Sequence, residues 1–368
     1  MPTSFFDSDL DSFFLQLQRH NRERVLTPPP AGVLDLCSND YLGLSQHPQI
    51  IAALHEGIER YGAGSTASRL VRGHRSVFDE LEHRAAEWLG GEAALYFANG
   101  YAANVGVISA VCDGSYAAFI DRFAHASLVD GVRLSGARKT YFRHNDMEHL
   151  RQLLVKSDAK KHIIISESVF SMDGDEAPLG ELVNLAEEFD ALLYIDDAHA
   201  TGVLGPQGRG LAPLTADFRL ATLGKALGLE GAVVVTSARA RRFLLHAART
   251  FVFSTAPLPA IAHAALTAME VARSMDRQRG ELLAHADLLR KAIAHAGYSS
   301  GNSATQIVPL LCESERHALD LSERLLQEGF HAKAIRPPTV KESRIRFSLN
   351  ARVTGADVAR LSQCLANR

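Results

Sequence analysis

Cysteine is scarce in this chain: four residues in 368, at positions 37, 112, 312 and 364, with no CxxC pair. That usage argues against a disulfide frame and suits reduced packing cysteines of a cytoplasmic protein. No apolar run approaches the roughly 20 residues that span a bilayer. The opening MPTSFFDSDLDSFF carries acids where a signal peptide carries Lys or Arg. A basic excess is missing as well. Thirty-nine Lys+Arg against 42 Asp+Glu leave a net charge of −3, with no stripe for nucleic acid or an anionic membrane. No GxGxxG follows an early strand, so the dinucleotide-binding fingerprint is absent. One Trp and 13 Pro fit a folded chain rather than a disordered or collagen-like one.

What is present is ample core material, with 46% hydrophobic residues. Phe5, Phe6, Leu10, Phe13, Phe14 and Leu17 recur at helical spacing, and Thr27–Pro30 follows as a stiff linker. Ile50, Ile51, Leu54 and Ile58 predict a helical face stopped by Gly62. Val77, Phe78, Leu81, Ala85 and Trp88 predict another, stopped by Gly90-Gly91. Short apolar runs at 94–98, 117–120, 162–165, 192–195 and 232–235 alternate with helical segments. They read as buried strands of a mainly parallel sheet. After about residue 270 the texture changes to a long charged helix over 272–296, then strands near 306–311, 331–336 and 344–349. A helix over 315–328 lies among them and another closes the chain. We therefore expect an α/β protein with an N-terminal segment (1–45), a large domain (46–270) and a smaller α+β domain (271–368).

Three constellations carry chemistry. In Thr222-Leu-Gly-Lys225-Ala-Leu-Gly228 a lysine sits among small residues after an apolar run. On its own it suits a surface turn; the functional reading is a Schiff-base lysine whose pKa is lowered by burial and whose glycines admit a flat cofactor. Ile195-Asp196-Asp197-Ala198-His199 closes a predicted strand. Such carboxylates serve as turn and cap residues, or as the partner of a pyridine nitrogen at the ligand-binding end of a sheet. Asn99-Gly100-Tyr101 opens a helix after strand 94–98, where free N–H groups suit a phosphate.

These pieces join others in one order: Asn39–Leu44 (NDYLGL), Gly62–Gly73 (GAGSTASRLVRG), Phe170–Asp175 (FSMDGD), Asp196–Gly202 (DDAHATG), TLGKALG and Ile335–Val340 (IRPPTV). Over roughly residues 35–368 the chain resembles the α-oxoamine synthases, pyridoxal 5′-phosphate (PLP) enzymes of transferase fold type I. The resemblance implies a mainly parallel seven-stranded sheet in the large domain, and a homodimer with a shared active site. It implies that Lys225 carries the cofactor and later moves protons at the substrate Cα, and that Asp196 meets the pyridine nitrogen. His199 and Ser171 would lie near the phenolic oxygen, and His125 against the ring face. Gly100, Tyr101 and Thr222 would hold the phosphate, with Ser254 and Thr255 reaching the phosphate of a partner subunit. Arg336 would take the amino-acid carboxylate, with Asn39 and Thr339 lining the substrate site and Glu167 near the centre. Arg22 or Arg24 would stand near the acyl-substrate entrance. No metal is expected.

Within the family, the IRPPTV run resembles members that condense L-alanine with a pimeloyl thioester, as the CoA or acyl-carrier-protein adduct. The alternatives are a glycine-using or long-chain member, or a silent structural subunit. Such subunits lack the cofactor lysine, which is present here as Lys225.

Overall fold

A computed structural model describes residues 5–19, 22–23 and 25–366. They fall into two compact units, one reaching to Val33 and one from Leu34 onward. In the first, the predicted amphipathic helix forms over Phe5–Arg19. No described helix is long and apolar enough to cross a membrane.

The second unit is built on a seven-stranded sheet: β1 (Ala93–Phe97), β2 (Tyr116–Asp121), β3 (Arg138–Phe142), β4 (Lys161–Glu167), β5 (Ala191–Asp196), β6 (Phe218–Thr222) and β7 (Ala232–Thr236). Their spatial order is β1-β7-β6-β5-β4-β2-β3, and β7 alone runs against its neighbours. All five apolar runs read from the sequence are strands, and β3 and β6 join them. β4 and β5 are in register so that their last residues, Glu167 and Asp196, lie side by side. Helices connecting parallel strands cover both faces, which is why these strands are nearly continuous apolar runs. The carboxylates Asp121, Glu167 and Asp196 stand at the carboxyl ends of β2, β4 and β5, the end of such a sheet where ligands bind.

A three-stranded antiparallel sheet follows: β8 (Ile307–Leu311), β9 (Lys333–Ile335) and β10 (Arg344–Ser348), in the order β9-β10-β8. Leu34–Asp35 adds a short parallel pair with Phe330–His331. One apolar core runs from Tyr41 and Phe78 through Leu282 and Leu289 to Phe330 and Phe347. We propose the change of sheet type near residue 270 as the domain boundary inside this unit. The long charged helix expected over 272–296 forms there as Asp276–His295, after a separate helix Pro259–Arg273.

The helix Pro48–Tyr61 corrects one expected face. Ile50, Ala53 and Gly57 are buried, whereas Ile51 and Ile58 are exposed. The cause is a close helix crossing. A Cβ on Gly57 would stand 2.7 Å from Ala260 Cα in the helix Pro259–Arg273, so only glycine lets the two backbones approach. Gly57→Val is therefore expected to cost about 1–3 kcal/mol through overpacking. A urea midpoint equal to that of the parent protein would contradict this packing.

Candidate active site

Lys225 lies in the turn after β6, where Leu223 N and Leu229 N bond to Gly231 O and Leu223 O. Its Nζ is 2.9 Å from His199 Nε2. Burial lowers the lysine pKa, with Arg346 adding to the effect while Asp196 and Glu167 oppose it. Burial also drives His199 well below its ordinary value, reinforced by Lys225, Arg346 and His125. The pair is therefore a neutral imidazole beside an amine of reduced proton affinity.

Asp196 ends β5 as a buried carboxylate. Asn104 Nδ2 donates to its Oδ2 at 2.7 Å, and Ala198 N donates to its Oδ1 at 3.0 Å. Asn104 is itself fixed: it donates to Ser127 Oγ at 2.9 Å and accepts from Tyr194 OH at 2.6 Å. Glu167, buried beside Asp196, accepts from His125 N at 2.7 Å. Its pKa is pushed well up, first by burial and then by Asp196. His125 is the N-cap of the helix Ala126–Ser135, accepting from Ser127 N through Nδ1. It is a capping histidine, and it also senses the charges of Asp196 and Lys225.

Asn99 caps the helix Gly100–Val111 by accepting from Ala102 N at 2.8 Å. The amides of Gly100 and Tyr101 then have no partner inside the helix, and a Cβ on Gly100 would meet only Leu220 Cδ2 at 3.9 Å. Thr222 Oγ1 is buried nearby at the end of β6, between Gly224 N and Gly231 O.

The residue that sequence reading missed is Arg346 on β10. Its Nη2 donates to Asn39 Oδ1 at 3.2 Å and approaches the Tyr41 hydroxyl at 3.5 Å, while Nε donates to Ser171 O and Nη1 to Ser348 Oγ. Tyr41 in turn lies 2.7 Å from His199 Nδ1. Arg346, Asn39, Tyr41, His199 and Lys225 thus form one chain of contacts. Arg336 is placed differently, after β9 and at the start of the loop carrying Thr339, whose amide bonds to Arg336 O at 3.0 Å. Ser254 and Thr255 bond only to one another through Ser254 Oγ and Thr255 O among the described side-chain contacts. Arg22 belongs to the N-terminal unit, and Arg24 lies outside the described residues. Glu230 is exposed.

Behind the site His144 is clamped between two carboxylates, Nδ1 2.9 Å from Asp121 Oδ1 and Nε2 2.8 Å from Asp175 Oδ2. Its ring stacks on Phe123 at 4.3 Å and meets the edge of Phe170 at 4.4 Å. The clamp ties the segment leading to His125 to the loop carrying Ser171.

This donor set fits PLP. A helix N-terminus with free amides suits the phosphate, a buried carboxylate at a strand end suits the pyridine nitrogen, and a buried amine of lowered pKa suits the aldehyde carbon. The aminotransferase class I and II family profile matches residues 31–365. The chain is 45% identical to an 8-amino-7-oxononanoate synthase of Geobacter sulfurreducens, over 91% of this chain and 88% of that one. A solved 8-amino-7-oxononanoate synthase from Francisella tularensis is 26% identical and covers 92% of this chain and 98% of its own, with a TM-score of 0.80. A serine palmitoyltransferase structure containing PLP covers 98% and 97% at 27% identity, with a TM-score of 0.90.

Burial alone would lower the His144 pKa, but the hydrogen bonds and charges of Asp121 and Asp175 outweigh it and raise the value to about 9 from 6.5. A raised folded pKa means the clamp's stabilisation is complete below pH 6.5 and is lost as pH rises through 9. Urea midpoints of the native protein should therefore fall between pH 7 and 10. His144→Gln should flatten that fall, and an unchanged slope would refute the clamp.

Proposed function

Because the chain belongs to the aminotransferase class I and II family and, within it, to the 8-amino-7-oxononanoate synthases, we propose the following account of its chemistry. It is a PLP-dependent acyltransferase of biotin biosynthesis. It joins L-alanine to a pimeloyl thioester, releasing CO2 and the thiol carrier and leaving 8-amino-7-oxononanoate. The observation that carries the reading is the contact chain from Lys225 through His199 and Tyr41 to Arg346 and Asn39. It joins an amine that would transfer protons to a guanidinium that would bind the amino-acid carboxylate. Within the family this arrangement favours the enzyme over a silent subunit, which lacks the lysine.

When bound, PLP supplies an electron sink for negative charge developing at the amino-acid Cα. Asp196, held by Asn104 and Ala198 N, would keep the pyridine nitrogen protonated, because a buried carboxylate needs a cationic partner. Gly100, Tyr101 and Thr222 would hold the phosphate, with Ser254 and Thr255 of a partner subunit. His125 would cover the ring face, its position fixed by Glu167 and Ser127. Ser171 and His199 would stand by the phenolic oxygen.

Lys225 takes the proton from the alanine Cα and later returns one to the product carbon. Its lowered pKa favours the neutral amine that the first transfer needs. Arg346 holds the alanine carboxylate. Of its contacts the one to Tyr41, at 3.5 Å, is the longest and the one a substrate carboxylate would replace. Holding that group fixes which bond at Cα faces the reacting system. Asn39 and Thr339 line the same space, and Arg336 at the loop start is a second, outer cation.

A homodimer and a cytoplasmic location go with this reading. Leu70, Val71 and Phe253 are large apolar side chains left exposed within GAGSTASRLVRG and next to Ser254-Thr255, the segments expected to meet a partner subunit.

Lys225→Ala should fold, remain dimeric by light scattering, and lose both the protein-bound visible absorption of PLP and turnover. Full turnover in that variant would sink the mechanism. Arg346→Ala should raise the alanine KM by about ten- to a hundredfold, the worth of a charged hydrogen-bonding partner, with a small change in thioester KM. Arg336→Ala should raise it less. The reverse order would return the carboxylate to Arg336.

A further inference from the structure

The reading above assigns only Ser171 and Thr339 among the residues of a cavity of about 550 Å³ bordered by Arg122, Phe123, Ala124, the Phe170–Asp173 loop and the Pro338–Glu342 loop with Arg344. It adjoins the active site on two sides. Ala124 precedes His125 in the chain, and Ser171 O is a ligand of the Arg346 guanidinium. Its walls are fixed. Arg344 is buried and donates to Asp173 Oδ1 at 2.6 Å and to Met172 O at 3.1 Å, and His144 holds Phe123 and Phe170 from behind.

The cavity's charge is uneven. Arg344 and Asp173 neutralise each other. Glu342 presents one acid, whereas Arg122 and Lys341 present two cations that make no side-chain hydrogen bond or ion pair with any described residue. Of the remaining lining, Phe123, Phe170, Met172 and Val340 supply apolar surface, and Ser171 and Thr339 are its uncharged polar members. Apolar walls ending at unmatched cations suit a hydrocarbon chain that ends in an anion.

Resting on the reading of the reaction given above, we propose that this cavity seats the acyl chain of the donor, with Lys341 and Arg122 as the counter-charges of its far carboxylate. The product name of the relatives requires such a group: in 8-amino-7-oxononanoate the acid lies at the opposite end of the chain from the new carbon–carbon bond. The same two cations would also suit the phosphates of the thioester carrier, but the apolar walls favour the chain. Selection of the donor then comes from the charge at its distal end as well as from its thioester.

The test compares pimeloyl-CoA with heptanoyl-CoA, which has the same chain length and no distal charge, on the PLP-loaded protein. The native enzyme should favour pimeloyl-CoA by tenfold or more in kcat/KM. Lys341→Gln and Arg122→Gln should each lower pimeloyl-CoA kcat/KM by about fivefold, the range for a partly exposed pair, and together by more than tenfold. Heptanoyl-CoA should change less than twofold. Equal losses for both donors would overturn the proposal. So would an increase confined to the inhibition constant of free CoA, which would assign the cations to the carrier's phosphates. The visible spectral response to L-alanine should persist in both variants. Its absence from the native protein would fail the reaction assignment itself rather than this subsite.

Discussion

The structure is organised around the cost of holding Lys225 out of water. A buried amine resists protonation and a buried carboxylate resists ionisation, so each must be placed against the other's field. Glu167, Asp196 and Lys225 do this at adjacent strand ends, where the register of β4 and β5 leaves no freedom in their spacing. The sheet is therefore more than a scaffold. A one-residue slip would turn Asp196 to the other face and leave Lys225 among cations and a neutral histidine.

Around that centre the support is polar and spans great distances in sequence. Asn104 binds Asp196, Ser127 and Tyr194, so three segments converge on one amide. Gln306, just before β8, donates to His199 O at 2.8 Å. The Arg346 guanidinium closes the arrangement from β10 by binding Ser171 O and Asn39 together. The C-terminal sheet thereby shares in positioning His199 and the Arg346 guanidinium, and cannot be treated as an appendage of the large sheet.

How much of this could be read in advance depended on how locally each residue declares its role. Strands such as His162–Ile165 and Ala232–Val235 are unbroken apolar runs and were legible, as were Lys225 and Asp196 inside their motifs. β3, with the sequence RKTYF, is an edge strand whose outer chains face water, so it carries no apolar signal. β6 contains Arg219, which is buried only because Leu89 O and Gly90 O, some 130 residues away, accept from it. Arg346 failed for a related reason. In RIRFS the alternation looks like an exposed polar face, and its partners Asn39 and Tyr41 stand about 300 positions earlier. Arg336, beside two prolines, is the more conspicuous arginine in the sequence. The alternation of polar and apolar residues was a real signal, but the polar face turned out to be the one toward the site.

The adjacent Asp196 and Asp197 show how two identical residues come to different uses. Strand alternation sends Asp196 toward Lys225 and Asp197 to the other side. There Asp197 accepts from Ser168 Oγ, from Thr201 Oγ1 and from the amides of Leu211 and Ala212, in a space so close that a Cβ on Gly210 would collide with its Oδ2. Burial still lifts its pKa to about 7 against those hydrogen bonds. Its task is to fold the 199–212 segment back on itself, and that fold carries His199 at one end. One carboxylate faces the cofactor site while its neighbour fixes the loop that brings histidine to lysine. For that reason a substitution at Asp197 would reach the chemistry only through the position of His199.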